Sequence, residues 1–223
     1  MKKKLVVLIN EQTRNDSYLD FLRLKFDINV VNFENGKNKI KDIDLALFTG
    51  GEDVDPAYYE ESKGRFTSCN KKRDQIEHKM FMSSLSAPKL GICRGSQFLT
   101  VMCGGKLIQH VEGHGIGGTH PIDIVYPYEQ KVEITSTHHQ MLYPFNLPKE
   151  NYLMCAYSTN HRSGVYLNGN NENISLPEDF VEPEIVYYPK YTSLAIQGHP
   201  ESGVLSTDDK MFFLDYIEKM LKL

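Results

Sequence analysis

The stretch Leu90-Gly91-Ile92-Cys93-Arg94-Gly95-Ser96-Gln97 (90–97, LGICRGSQ) decides how this chain is read. An apolar run ends at a cysteine, and a segment suited to starting a helix follows at once. Taken as strand, sharp turn and helix, it holds Cys93 in strained backbone geometry with its side chain projecting from the end of the strand. Such a turn needs small neighbours, because side chains there would collide, and Gly91 and Gly95 are placed for that. The thiol would face the positive end of the following helix, which favours a nucleophilic sulfur. An apolar strand ending at a glycine turn, with Cys93 as filler, is the bland alternative, and the octapeptide alone leaves both open.

Outward from this point, strands and helices alternate. KLVVLI and INVVNF read as strands rich in β-branched residues, with a helix around YLDFLRLKF between them. DLALFTGG is a third strand running into a glycine turn. NKKRDQIEHKMFMSSLS follows as a helix, with Asn70 as N-cap and Ile76, Met80 and Phe81 on one face. Pro88 ends it, KLGIC is a strand, and RGSQFLTVMC is a helix closed by Gly104-Gly105. The pattern predicts an α/β fold: an open, mostly parallel sheet with helices on both faces. The second half is richer in strands (KLIQHV, IDIVY, KVEIT, YLMCAY, EIVYY, TSLAIQ) and predicts an added antiparallel portion. Residues 168–180 read as a loop, and TDDKMFFLDYIEKMLKL as a last helix with Thr207 as N-cap. With no repeat and no linker, residues 1–223 are expected to form a single domain.

Bulk properties narrow the function classes. A net charge of −4 over 223 residues carries no polyanion signature, so nucleic acid is not an expected partner. MKKKLVVLIN imitates a leader, but its apolar run stops after five residues, at Asn10. It predicts a buried first strand, not a signal peptide or membrane anchor. Cys69, Cys93, Cys103 and Cys155 show no paired spacing, which points to reduced thiols in the cytoplasm.

A cysteine nucleophile needs a base. His199 stands out among the eight histidines in AIQGHPES: it follows a strand and Gly198, and it precedes Glu201 by two residues. Pro200 fixes the turn between them, so the carboxylate can reach back to orient the imidazole. A surface His-Pro turn is the competing reading.

At this point the chain resembles a known family. GICRGSQ matches the G-[IV]-C-x-G-x-Q elbow of class I glutamine amidotransferases, and GHPE matches their H-P-E segment. TGGEDVDPAYY, KKRDQIEHKMF, GGKLIQH, THPIDI and TSTHHQML, in this order, resemble the γ-glutamyl hydrolase branch (peptidase family C26, γ-glutamyl-γ-aminobutyrate hydrolase-like), over roughly residues 44 to 217. The resemblance implies a flavodoxin-like sheet. It also implies Cys93 as nucleophile, His199 as base and then acid, Glu201 as orienting carboxylate, and backbone N–H groups of Gly51 and Arg94 as an oxyanion hole. Gln97, His138 and His139 would border the substrate. The implied activity is cysteine-dependent hydrolysis of a small γ-glutamyl amide through a thioester, without a cofactor. A glutaminase subunit serving a separate synthetase or ligase, and a catalytically silent binding module, are the alternatives; a homodimer is left open. Two departures concern the substrate: Gly198 stands where the family has an aromatic, which predicts a roomier acyl pocket, and TGG replaces P-G-G.

HVEGHGIGGTH gathers His110, Glu112, His114 and His120 and invites a metal reading, but no H-E-x-x-H spacing is present and glycines break any helix. The expectation is no metal and a loop near the rim of the site. Arg73, Asp74 and Glu77 read as a solvated face, although they match a family R-D-x-x-E segment that helps position a loop. Cys69, Cys103 and Cys155 are expected to be structural, with Cys103 inside the elbow helix.

Overall fold

A computed structural model describes residues 1–34, 42–115 and 117–223. The first half runs β1 (Lys4–Asn10), α1 (Asp16–Lys25), β2 (Asp27–Phe33), β3 (Leu45–Phe48), α2 (Lys71–Ser83), β4 (Lys89–Ile92) and α3 (Arg94–Met102). The second half adds β5 (Lys106–Ile108), β6 (His110–Val111), β7 (Gly118–Ile124), β8 (Gln130–Ser136), β9 (Met141–Tyr143), β10 (Leu153–Ser158), β11 (Tyr166–Leu167), β12 (Pro183–Tyr188), β13 (Ser193–Ile196) and α4 (Thr207–Leu221).

Nine strands form one sheet in the order β2-β1-β3-β4-β13-β12-β10-β7-β8. The first five are mutually parallel, and β13 through β8 pair antiparallel, as expected of the strand-rich second half. Alternating strand residues feed two cores. Val7, Ile9, Leu45, Leu47 and Leu90 pack with α1 and α4 on one face, while Leu8, Ala46 and Phe48 pack with α2 and α3 on the other. No helix among the described residues is long and apolar enough to cross a membrane.

The β4–β13 pairing positions the site. Ile92 is in register with Ile196, so the chain leaves both strands side by side, with Cys93 at one exit and Gln197-Gly198-His199 at the other. Cys93 N–H donates to Ile196 O at 2.9 Å and ties the two exits together. The glycines around Cys93 are close-approach residues. A Cβ on Gly95 would lie 2.0 Å from Phe48 O, and one on Gly91 would lie 2.4 Å from Gly95 O. Helix α3 therefore starts directly on the backbones of β3 and β4.

Three local expectations change. KLIQHV is two short strands: buried Gln109 ends the β5–β9 pairing and passes the chain to β11, its N–H bonding Leu167 O. The partners β9 and β11 are too short to carry a readable period. The N-cap of α4 is Ser206, not Thr207: Ser206 accepts from Asp209 N–H while Asp209 accepts from Ser206 N–H, a reciprocal capping box. Cys103 stands just past α3, as its C-cap.

Gly95→Ala is expected to lower the unfolding free energy by about 1–3 kcal/mol, read from urea melts, because backbone at the Phe48 contact cannot give way cheaply. Ser206→Ala is expected to cost about 1 kcal/mol. A Gly95→Ala protein as stable as the wild type would mean that α3 does not sit on β3 as described.

Candidate active site

Cys93 adopts φ 53, ψ −113, a left-handed conformation that side chains seldom adopt, at the N-cap of α3. Its carbonyl accepts from Ser96 N–H at 3.0 Å and Gln97 N–H at 3.2 Å, which fixes the turn from the helix side. Beyond β13, His199 Nδ1 lies 2.7 Å from Glu201 Oε1, the reach-back that Pro200 was expected to allow. The carboxylate can only accept, so Nδ1 carries the proton and Nε2 is left for Cys93, the other hydrogen-bond partner of this ring. His199 N–H donates to Thr135 Oγ1 at 2.8 Å, anchoring the turn to β8. Burial alone would depress the imidazole, but the hydrogen bonds and charges of Cys93 and Glu201 outweigh it and take the group up to about 10. Tyr18, raised above the ordinary phenol range by burial and so neutral, accepts from Gly50 N–H at 3.1 Å and stands beside His199.

The second wall is the Thr49-Gly50-Gly51 turn after β3. Gly51 has φ 143, and a Cβ there would lie 2.0 Å from Arg73 Nη1. Arg73 donates from Nη2 to Thr49 O at 2.8 Å and from Nε to Glu77 Oε1 at 2.9 Å. The Arg94 guanidinium pairs with both Asp74 and Glu77, and Asp74 Oδ2 accepts from Asp55 N–H at 3.0 Å. None of these four charged side chains is more than 5% exposed, so the solvated-face reading is wrong. Positions 73, 74 and 77 face inward from α2 onto the start of α3, and the two guanidinia and two carboxylates neutralise one another there. One ionic network thus grips both the residue after Cys93 and the glycine turn. Among the described residues, neither Gly51 N–H nor Arg94 N–H has a protein acceptor.

A cavity of about 180 Å³ opens here, lined by Gly51, Cys93, Arg94, Gln97, Thr137, His138 and His139, with Glu52, Asp53 and Ser68 around it. This is room for an amino-acid-sized group. Gln97 Nε2 and His138 Nδ1 both bond Gln140 O, at 3.1 and 2.9 Å. Burial and the nearby His114 push His138 well below the usual imidazole range, so it presents a neutral ring. His139 is raised by its bond to Asp53, 3.1 Å away. The eight residues expected at the site therefore gather: six line the cavity, and His199 and Glu201 stand beside Cys93.

Comparison with known proteins agrees with this geometry. Residues 28–201 match the Peptidase C26 family model. The chain belongs to the Peptidase C26 family. The glutamine amidotransferase-like protein YvdE of Lactococcus lactis is 32% identical over 171 residues, 75% of this chain and 70% of its own length. Among solved structures, a glutamine amidotransferase from Thermotoga maritima superposes with TM-score 0.56 at 14% identity, over 100% of this chain and 86% of that one. PurLQS from Thermotoga maritima superposes with TM-score 0.52 at 17% identity, over 99% and 100%. These likenesses establish the class I glutamine amidotransferase-like fold, and family membership makes the chain a glutamine amidotransferase-like hydrolase.

Two departures from the Peptidase C26 pattern gain physical meaning. At Gly198, a Cβ would come within 2.5 Å of Ile134 Cγ1 and Thr135 O. Strand β8 fills that space, so the glycine reflects close strand approach and not the roomier pocket expected. His114 and His120 are buried, not at the rim; Ile116 in that loop lies outside the described residues. The other thiols are held protonated by burial, which raises Cys69, takes Cys103 to about 12 and Cys155 to about 11. Sequence reasoning missed Thr135, Tyr18 and Asp53, whose roles come from tertiary contacts without a local signature. The buried network was announced by R-D-x-x-E but read outward.

Glu77→Gln leaves two buried guanidinia facing one carboxylate and is expected to destabilise by about 3–5 kcal/mol in denaturant melts. His199, raised on folding, adds stability that is complete below the ordinary value of 6.5 and fades as pH rises through about 10. The stability gap between wild type and His199→Asn should therefore shrink across that window. A gap constant with pH would contradict the His199 environment described here.

Proposed function

We propose that the protein hydrolyses γ-glutamyl amides with Cys93 as nucleophile, in the cytoplasm and without a cofactor. The observation that carries this reading is the left-handed Cys93 at a helix start, with the His199–Glu201 pair beside it at 2.7 Å. Cys93 Sγ attacks the γ-carbonyl carbon, and the carbonyl electron pair moves onto oxygen. The free N–H groups of Gly51 and Arg94 hold that oxyanion. His199, protonated and oriented by Glu201, gives its proton to the departing amine as the C–N bond breaks, leaving a γ-glutamyl thioester. Water, losing its proton to the same imidazole, attacks the thioester, and glutamate leaves as the Cys93 sulfur is restored. Gln97, His138 and His139 border the glutamyl group. PurLQS, by its name and fold, keeps a second reading in view: ammonia release from glutamine for a separate synthetase.

A screen of γ-glutamyl amides should find turnover by the wild type alone and none by Cys93→Ala, with Glu201→Gln slower by on the order of 10²–10⁴-fold. Equal rates for wild type and Cys93→Ala would end this mechanism. Glutaminase activity that appears only with a synthetase added would favour the second reading.

A further inference from the structure

Behind the His138 wall of the cavity, four elements bring three histidines and a glutamate together: His114 from the loop after β6, His120 from β7, His138 after β8 and Glu184 from β12. None is more than 4% exposed. We propose that His114, His138 and Glu184, with His120 completing the set, bind one divalent transition-metal ion, zinc by preference.

The argument is one of proton placement. His114 Nε2 lies 3.1 Å from Glu182 Oε2. Glu182 also takes the N–H groups of Arg162 and Ser163, each at 2.9 Å, and the Tyr166 hydroxyl at 2.8 Å, so it acts as an acceptor throughout and Nε2 must donate. His138 Nδ1 faces the Gln140 carbonyl at 2.9 Å, which also only accepts. His120 Nδ1 faces Ser158 Oγ at 3.3 Å, a hydroxyl whose own proton goes to Asn160 O at 2.8 Å. Each ring is thereby left with a lone pair on its other nitrogen: His114 Nδ1, His120 Nε2 and His138 Nε2. Ser136 Oγ sits 3.1 Å from His114 Nδ1, but it donates to His114 O at 2.8 Å and so does not claim that lone pair.

Those lone pairs face a carboxylate. Glu184 Oε1 is 3.2 Å from His120 Nε2 and 3.8 Å from His114 Nδ1. One ligand atom each from His114, His138 and Glu184 lie within 4.8 Å of one another. Among the described residues, both Glu184 oxygens, His120 Nε2 and His138 Nε2 lack a hydrogen-bond partner. Buried acceptors facing one another call for a cation between them. A single proton between His120 and Glu184 would leave His138 Nε2 unpartnered, whereas a metal ion uses every lone pair. Imidazoles with one carboxylate are a zinc donor set, and Glu182 behind His114 is the outer carboxylate that orients a metal-bound imidazole. Zinc bonds of about 2.0–2.1 Å require the donors to draw together by roughly 1 Å. The grouping read in HVEGHGIGGTH is therefore half right: His114 and His120 belong to the cluster, while His110 stacks on Phe66. The site stands independently of the proposed reaction.

The test uses Cys93→Ala protein, so that the Cys93–His199 pair cannot hold the metal. After chelator stripping, it is titrated with Zn²⁺ against a chromophoric competitor and, separately, with Co²⁺. One equivalent should bind with micromolar or tighter affinity, and Co²⁺ should give visible d–d bands without thiolate charge-transfer absorption. Glu184→Gln should weaken Zn²⁺ at least 100-fold, and Glu182→Gln by about 10–100-fold. No binding, thiolate bands, or unchanged affinity in Glu184→Gln would overturn the proposal. If Glu184→Gln does not fold, His120→Gln decides on the same titration, with undiminished binding counting against the site.

Discussion

A residue with a side chain held at φ 53, ψ −113 carries backbone strain of order 1–3 kcal/mol, so Cys93 stays there only because its surroundings over-determine the turn. From below, its N–H is bound by the neighbouring strand end at Ile196. From above, its carbonyl is held by the first turn of α3. From the side, Gly95 lies against Phe48 with no space for a methyl group. Loosening any of these lets the cysteine relax to ordinary geometry and withdraw from the cavity. The parallel β3–β4–β13 arrangement is the part of the sheet that makes this possible, because it opens three strand ends at one rim.

The buried charges make sense against that constraint. Carrying two guanidinia and two carboxylates into the interior is costly, and replacement of such networks by apolar side chains is often neutral or stabilising. Stability alone is therefore a poor reason for Arg73, Asp74, Glu77 and Arg94. Their geometry offers another: Arg73 holds the Thr49 carbonyl and fills the space beside Gly51, and Arg94 locks the residue next to Cys93 onto α2. The network fixes the distance between the two backbone segments whose N–H groups remain free.

Much of this was legible in residue order. The βα alternation, the glycine spacing around Cys93 and the GHPE turn each encode local geometry, and local geometry survives folding. The elbow was readable because Gly91 and Gly95 are required by contacts three to four residues apart. What was not legible depends on partners distant in sequence. Thr135 meets His199 across 64 positions, and Glu77 meets Arg94 across 17, so the ionic network reads as an ordinary polar helix face. Gly198 looked like a pocket feature because nothing near it reveals that β8 passes overhead. The histidines of HVEGHGIGGTH looked like rim residues for the same reason: the acids they face, Glu182 and Glu184, arrive on β12.

The central claim is that Cys93 is activated by its setting, and thiol reactivity tests it most directly. Cys93 is only 8% exposed, whereas Cys69 and Cys103 are more accessible. Native protein would be treated with substoichiometric iodoacetamide and the modified peptides quantified by mass spectrometry, for the wild type and for His199→Asn. The account predicts that Cys93 is alkylated first despite its burial, and that its lead disappears without His199. Labelling that follows exposure, with Cys69 and Cys103 ahead of Cys93 in both proteins, would contradict it.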